Sequence, residues 1–197
     1  MTNIFYFFVS ALTALALENV MFFRGVGLDQ EFLFLKSPRA GILYGSTFTL
    51  MATLCSVGAC GVTYLLQNSS YVDFIRAPLC LFCTCVVYAA VHSGAKRFFP
   101  KNYKEIRHVL PVSTFNTGLF SALFIICTRN YNLLRALGYA LGTGAGFTFA
   151  IFVIYLARKR LTLSPVPRAF RGLPILLVYM GLFSLALYGL IGQGLPG

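Results

Sequence analysis

The chain has 197 residues, of which 58% are hydrophobic and only 11% charged. A soluble domain of average make-up carries roughly 25% charged residues, so this composition excludes an ordinary water-soluble fold and indicates an all-α integral membrane protein. The formal charge of +11 sits in the connections between apolar runs, a distribution that assigns it to membrane topology and excludes a nucleic-acid partner.

Six apolar runs are expected as transmembrane helices, at about 4–23, 41–66, 78–91 with the segment before it, 109–127, 137–156 and 173–191. Most approach the roughly 20 residues that a bilayer requires. The first run lacks a basic leader and a small-residue cleavage site, so it is expected as a retained helix and not as a signal peptide. It contains "LALENVMFFRGVG" at 15–27, where Glu18 and Asn19 interrupt an apolar stretch that ends in Arg24, Gly25 and Gly27. An amide or carboxylate in lipid is costly and ordinarily faces the protein interior, so this segment is expected to be a helix that stops early and lets the chain bend inward. The fourth run opens with "LPVSTFNTG" at 110–118, which places a proline, hydroxyl residues, Asn116 and a glycine in similar surroundings.

The basic residues alternate from one connection to the next. Arg24, Lys36 and Arg39, then Lys96, Arg97, Lys101, Lys104 and Arg107, then Arg158, Lys159, Arg160, Arg168 and Arg171 fall on one side. Only Arg76, Arg129 and Arg135 fall on the other. The positive-inside rule therefore puts the first, third and fifth connections in the cytoplasm and both termini on the outer face.

An internal echo runs through the chain. "YGST" at 44–47 has a counterpart in "LGTG" at 141–144, "NVMFF" at 19–23 in "NTGLF" at 116–120, and "IRAP" at 75–78 in "FRGLP" at 170–174. The first two pairs share one offset, 97 residues, and the third lies close to it. A three-span unit that is duplicated enters the second time from the opposite face, so one membrane domain, 1–197, is expected to hold two inverted repeats at about 1–95 and 108–197, with the first and fourth helices interrupted. Such folds build a midplane site between repeats from broken helices. The candidates for it are Glu18, Asn19, Asp29, Asn116 and Thr117; the structural alternative is that Asn19 and Asn116 only hydrogen-bond neighbouring helices.

These segments carry a resemblance. "ENVMFFRGVGL", "YGSTFTLMATLCSVGA", "IRAP", "LPVSTFNTG", "GAGFTF" and "VPRAFRGLPI", in this order and spacing over nearly the whole length, resemble the RnfA/NqrE branch of membrane subunits of Rnf and Na+-pumping NADH:quinone oxidoreductase complexes. The resemblance implies six spans in two inverted repeats, a bacterial cytoplasmic (inner) membrane, and a paralogous partner subunit sitting the other way up beside the remaining subunits. It also implies a shared 2Fe–2S cluster near the midplane, to which each partner supplies two cysteines. At the two ligand positions this chain has Asp29 and Thr117. Clusters of this kind take thiolates, with histidine an occasional substitute, so no cofactor is expected to be bound by this chain.

Several other residues stand out. Cys80 and Cys83 in "CLFCTC" stand at i, i+3 on one helix face and form a weak metal clip; buried packing is the alternative. Arg76 and Arg171 precede spans at matching repeat positions, as helix-end anchors or as grips for an anionic partner. Gly138, Gly142, Gly144 and Gly146 are expected to allow close helix packing. His92 and His108 flank the third connection without a metal-ligand neighbour. Asp29 is a candidate for binding a proton or cation. No serine-histidine-acid or paired-carboxylate arrangement is present.

Two functions follow. The first is a non-catalytic membrane subunit of an Rnf/Nqr-type electron-transport, ion-translocating complex without its own iron-sulfur ligation. The alternative is a non-redox ion or small-solute transporter or an accessory membrane protein, as a homodimer, that uses Asp29, Glu18 and Asn19.

Overall fold

The structure, a computed structural model, describes residues 2–27, 38–66, 71–98, 103–163 and 167–191. Among them every regular element is helical. The chain begins with α1 (Thr2–Leu12), which loosens into a π-helical turn, Thr13–Leu17, closed by the Glu18 N–H on the Thr13 carbonyl at 2.8 Å. Such a wide turn recurs where a helix is about to be interrupted. Glu18 leaves helical geometry, and a short helix, α2 (Val20–Arg24), follows and stops at Gly25 in the left-handed conformation, φ 61°. Glycine reaches that region without a Cβ penalty, which is why a helix can end there.

Two long helices come next, α3 (Pro38–Leu66) and α4 (Val72–Phe98). Proline suits the first position of α3, where its missing N–H is not needed. The fourth apolar run forms two pieces, α5 (Tyr103–Thr114) and α6 (Thr117–Thr128), bent by 47° at the break. The longest helix, α7 (Leu133–Leu163), a short 3-10 turn at Arg168–Phe170 and α8 (Leu173–Ile191) complete the chain.

Helix length settles part of the span pattern. Among the described residues three helices are long and apolar enough to cross a bilayer, 38–66, 74–97 and 133–161, and the bent α5/α6 pair makes a fourth. The apolar helices at 4–17 and 173–189 are shorter. The first is short because the chain breaks at Glu18, so length by itself does not give six complete spans. The third span takes in the segment before Pro78, as expected, and α4 also runs on past 91 to Phe98, 27 residues in all. The outward side chains are those of a protein bathed in lipid: Phe74 is 84% exposed and Leu65 78%, contiguous apolar surface that water would not tolerate. This is an all-α, multi-pass membrane protein.

The core lies between α3 and α7. The ring of Phe48 stacks on that of Phe147 with centroids 3.9 Å apart, and Tyr44, Phe48, Met51, Phe147 and Ile154 are almost fully buried. Backbone approach here is very close and reciprocal. A Cβ on Gly45 would strike Thr148, and a Cβ on Gly144 would strike Thr49. Each threonine also returns its hydroxyl to the glycine of its own helix, Thr49 to the Gly45 carbonyl at 2.7 Å and Thr148 to the Gly144 carbonyl at 2.8 Å. "GSTFT" at 45–49 and "GAGFT" at 144–148 thus perform the same part from opposite sides of one contact. The register is 99 residues in these helices; the pairing of Gly45 with Gly142 implied by the sequence echo is shifted by two, since spacing along a chain does not reveal which face of a helix meets its neighbour.

A second face of α7 receives α1. Gly138 and Gly142 lie against the carbonyls of Phe7 and Ala11, and Gly146 against Leu15 and the Asn19 amide. Glycines four apart share a helix face, and small residues at this spacing let backbones touch where lipid offers no hydrophobic drive to pack. The expected close packing at these glycines is what the structure contains.

Gly142 therefore has a sharp requirement. Gly142→Ala adds a methyl that would overlap the Ala11 backbone, and prying α1 from α7 should cost about 1–3 kcal/mol, outweighing the roughly 1 kcal/mol that alanine contributes in a helix interior. Gly61, in the same class of helix but with nothing within 4 Å, supplies the control: Gly61→Ala should be neutral or stabilising. Thermal unfolding of the two variants in detergent checks the pair: the midpoint should fall for Gly142→Ala and hold or rise for Gly61→Ala.

Candidate functional site

The two interrupted helices resume in the same way. After the first break Asn19, 3% exposed, turns its side-chain oxygen onto the Met21 and Phe22 N–H groups at 3.1 and 3.3 Å and donates from its amide nitrogen to the Leu15 carbonyl at 3.3 Å. After the second, Asn116, 0% exposed, accepts from the Gly118 N–H at 2.6 Å. A helix that begins inside the protein exposes N–H groups with no intrahelical partner, and asparagine at the N-cap satisfies them. Before the second break the Ser113 and Thr114 hydroxyls both fold back onto the Leu110 carbonyl, at 3.0 and 2.7 Å, the back-bonding that bends helices.

Asn116 is also the hub of a cross-chain cluster. Its amide nitrogen donates to the Tyr44 hydroxyl of α3 at 2.8 Å and to the Gly27 carbonyl at 3.5 Å. The Gly27 N–H in turn donates to the Thr117 hydroxyl at 3.0 Å. Gly27 has φ 97°, and a Cβ there would meet the Phe147 ring at 2.9 Å and the Asn116 side-chain oxygen at 3.0 Å. Only glycine fits both the dihedral and the space. The segment after the first break is thereby laid across the start of α6. Asn19 abuts Gly146 and Gly27 abuts Phe147, successive residues of α7, so both asparagines border one short stretch of that helix.

Not every candidate joins this cluster. Glu18 turns away to an ion pair with Arg129 at 2.7 Å and accepts a hydrogen bond from the Tyr139 hydroxyl at 3.1 Å. Arg129, at the end of α6, also donates to the Tyr131 hydroxyl at 3.1 Å; these bonds, first to Tyr131 and then to Glu18, raise the pKa of its guanidinium above the ordinary value. Nothing in the sequence distinguishes Tyr139 and Arg129 from an ordinary span tyrosine and a loop arginine, so neither could be placed at a site from the amino-acid order. Asp29 lies outside the described residues.

The arginine pair separates as well. Arg76 sits inside α4 and is 9% exposed, whereas Arg171 is exposed in an extended segment before α8. They do not occupy matching environments: Arg76 lies within a long helix, and Arg171 precedes the start of one. The expected clip of Cys80 and Cys83 also divides: Cys83 packs beside Gly58 of α3, while the Cys80 sulfur meets that of Cys127 at 3.3 Å. Among the described residues no group of three or more histidine, cysteine, aspartate or glutamate side chains converges as a metal site.

Similarity to known proteins covers the same length as this architecture. Residues 7–193 match the family described as Rnf-Nqr subunit, membrane protein. The chain is 30% identical over 179 residues to one subunit of the ion-translocating oxidoreductase complex of Azoarcus sp., covering 89% of this chain and 91% of the relative. It is 25% identical to one subunit of the Na(+)-translocating ferredoxin:NAD(+) oxidoreductase complex of Acetobacterium woodii, over 93% and 96% of the two chains. Over 68% of this chain and 66% of the relative it is 28% identical to one subunit of the Na(+)-translocating NADH-quinone reductase of Pseudoalteromonas translucida.

The hydrogen bond between Asn116 and Tyr44 lends itself to a double-mutant cycle. Tyr44→Phe should cost about 0.5–1.5 kcal/mol and Asn116→Ala about 1–3 kcal/mol, since the second also leaves the Gly118 N–H unmet in a buried site. The double variant should cost less than the sum of the two. Strict additivity in denaturation midpoints would show that the pair is not coupled.

Proposed function

Given that the chain belongs to the Rnf-Nqr family of membrane subunits, we propose that it serves as a membrane scaffold subunit of an ion-translocating oxidoreductase complex and binds no iron-sulfur cluster of its own. The observation that carries this reading is the Gly27–Thr117 hydrogen bond. It joins the two segments at which the family resemblance calls for cluster ligands, and it does so through a backbone N–H and a hydroxyl. A cluster needs thiolates; the Thr117 oxygen is a poor substitute and is already engaged, and the cysteines at 55, 60, 80, 83, 85 and 127 belong to other parts of the helices. The group does not fit these residues, and no electron-transfer step is derived through it.

In this reading the domain is two inverted repeats, about 1–95 and 108–197. The reciprocal contacts of Gly45 with Thr148 and Gly144 with Thr49 support it, as does the shared device of an asparagine cap after each break. The basic connections face the cytoplasm of a bacterial inner membrane and the termini face outward. The partner is an inverted paralogue of this chain, together with the other components of the complexes that the relatives' names describe. The transporter reading is weakened by Glu18, whose carboxylate is occupied by Arg129 and Tyr139.

Gentle extraction of the tagged protein from its native membrane tests the assignment. Flavin- and iron-containing partners should copurify, and the iron should leave with those partners when the chain is isolated in stronger detergent. A colourless homo-oligomer whose ion uptake in liposomes disappears on Asp29→Asn would overturn the proposal in favour of transport.

A further inference from the structure

Six free cysteines are present, and two of them from distant parts of the chain meet in the interior. Cys80 lies on α4, 6% exposed, and Cys127 on the last turn of α6, fully buried. Their sulfurs are 3.3 Å apart. The Cys127 thiol also lies 3.5 Å from the Ala59 carbonyl of α3 as its acceptor, so the sulfur is held at the junction of three helices. Thr84 bonds the Cys80 carbonyl at 2.8 Å and Thr63 the Ala59 carbonyl at 2.9 Å, and the Thr63 hydroxyl also lies against the Cys127 thiol.

Two thiols in contact need about 1.2 Å of further approach to reach the disulfide length of roughly 2.05 Å. Burial in a lipid-bathed helix bundle decides the oxidant. Both sulfurs are buried, while their chain neighbours Leu81 and Phe82 on α4 and Phe124 on α6 are 48%, 64% and 50% exposed. An apolar two-electron acceptor dissolved in the bilayer is the class of oxidant that meets such a surface.

The geometry points to Cys80 and Cys127 as a reversible dithiol–disulfide couple that a lipid-soluble quinone oxidises. The S–H bonds of both cysteines break and one S–S bond forms; the two electrons and two protons pass to the quinone, which leaves as the hydroquinone. The bond ties α4 to α6 across the loop that contains the Asn116 break. Oxidation therefore clamps the second half of the interrupted helix, and reduction frees it. This site is separate from the Gly27–Thr117 cluster and stands whether or not the chain is a scaffold subunit.

The test uses the full protein in its native membrane. After incubation with a short-chain benzoquinone, the sample is denatured in N-ethylmaleimide and mapped by mass spectrometry. Labelling at Cys80 and Cys127 should be lost together, a peptide pair linked through these two residues should appear, and dithiothreitol should restore both labels. Cys85→Ala, at an exposed position, should leave the link intact, and Cys127→Ala should abolish it while Cys80 stays labelled; the linkage map of the unaltered protein decides the matter even if that variant folds poorly. Full labelling at both positions after quinone treatment, a quinone thioether in place of the link, or a link to another cysteine would overturn the proposal. A link produced by diamide but never by quinone would overturn the quinone step.

Discussion

A helix that restarts within hydrocarbon leaves backbone N–H groups at its first turn facing a medium that cannot hydrogen-bond them, at several kcal/mol for each unmet group. This chain breaks its first and fourth apolar runs and meets the constraint identically in both. Asn19 and Asn116 supply an acceptor to the helix that follows and use the remaining amide hydrogens to tie that helix to something else, Leu15 in one case and Tyr44 with Gly27 in the other. Aspartate could cap equally well but would bring a charge into the interior and lose the donors. A neutral side chain that both gives and accepts is what such a position demands.

The breaks would be loose ends without the continuous helices that hold them. Successive residues of a helix are turned by about 100°, so Gly142 and Gly144 face different neighbours. The glycines at 138, 142 and 146 admit α1, and Gly144 admits Thr49 of α3. Helix α7 is consequently packed on two sides and is the most buried of the three long helices, ahead of α3 and then α4. Its central place explains why Asn19 and Gly27, on the chain segment that bends inward, come to rest on adjacent residues of it.

Electrostatics separates the interior into two zones. Among the described residues the groups around Asn116 are neutral and paired with one another, backbone amides, a phenol, a hydroxyl and an amide. The charge that stands beside the other cap, Glu18, is carried away to Arg129 at the end of α6 and shared with Tyr139. An acid in a membrane domain is tolerated when a cation and a hydrogen-bond donor meet it, and the partners come from residues more than a hundred positions away.

Much of this architecture was legible in the amino-acid order, because its causes are local. Apolar runs and polar residues within the runs report on lipid burial and on helix breaks, and Glu18–Asn19 and Asn116 marked the places where the helices stop. Glycines four apart on one run announced close packing without naming the partner. What tertiary structure alone decided is direction. The turning of Glu18 toward Arg129, the split between Cys83 beside Gly58 and Cys80 beside Cys127, the unequal settings of Arg76 and Arg171, and the 99-residue register of the Gly–Thr contacts all depend on how helices rotate and cross. Those angles arise from the packing of many side chains at once, and no short stretch of sequence contains them.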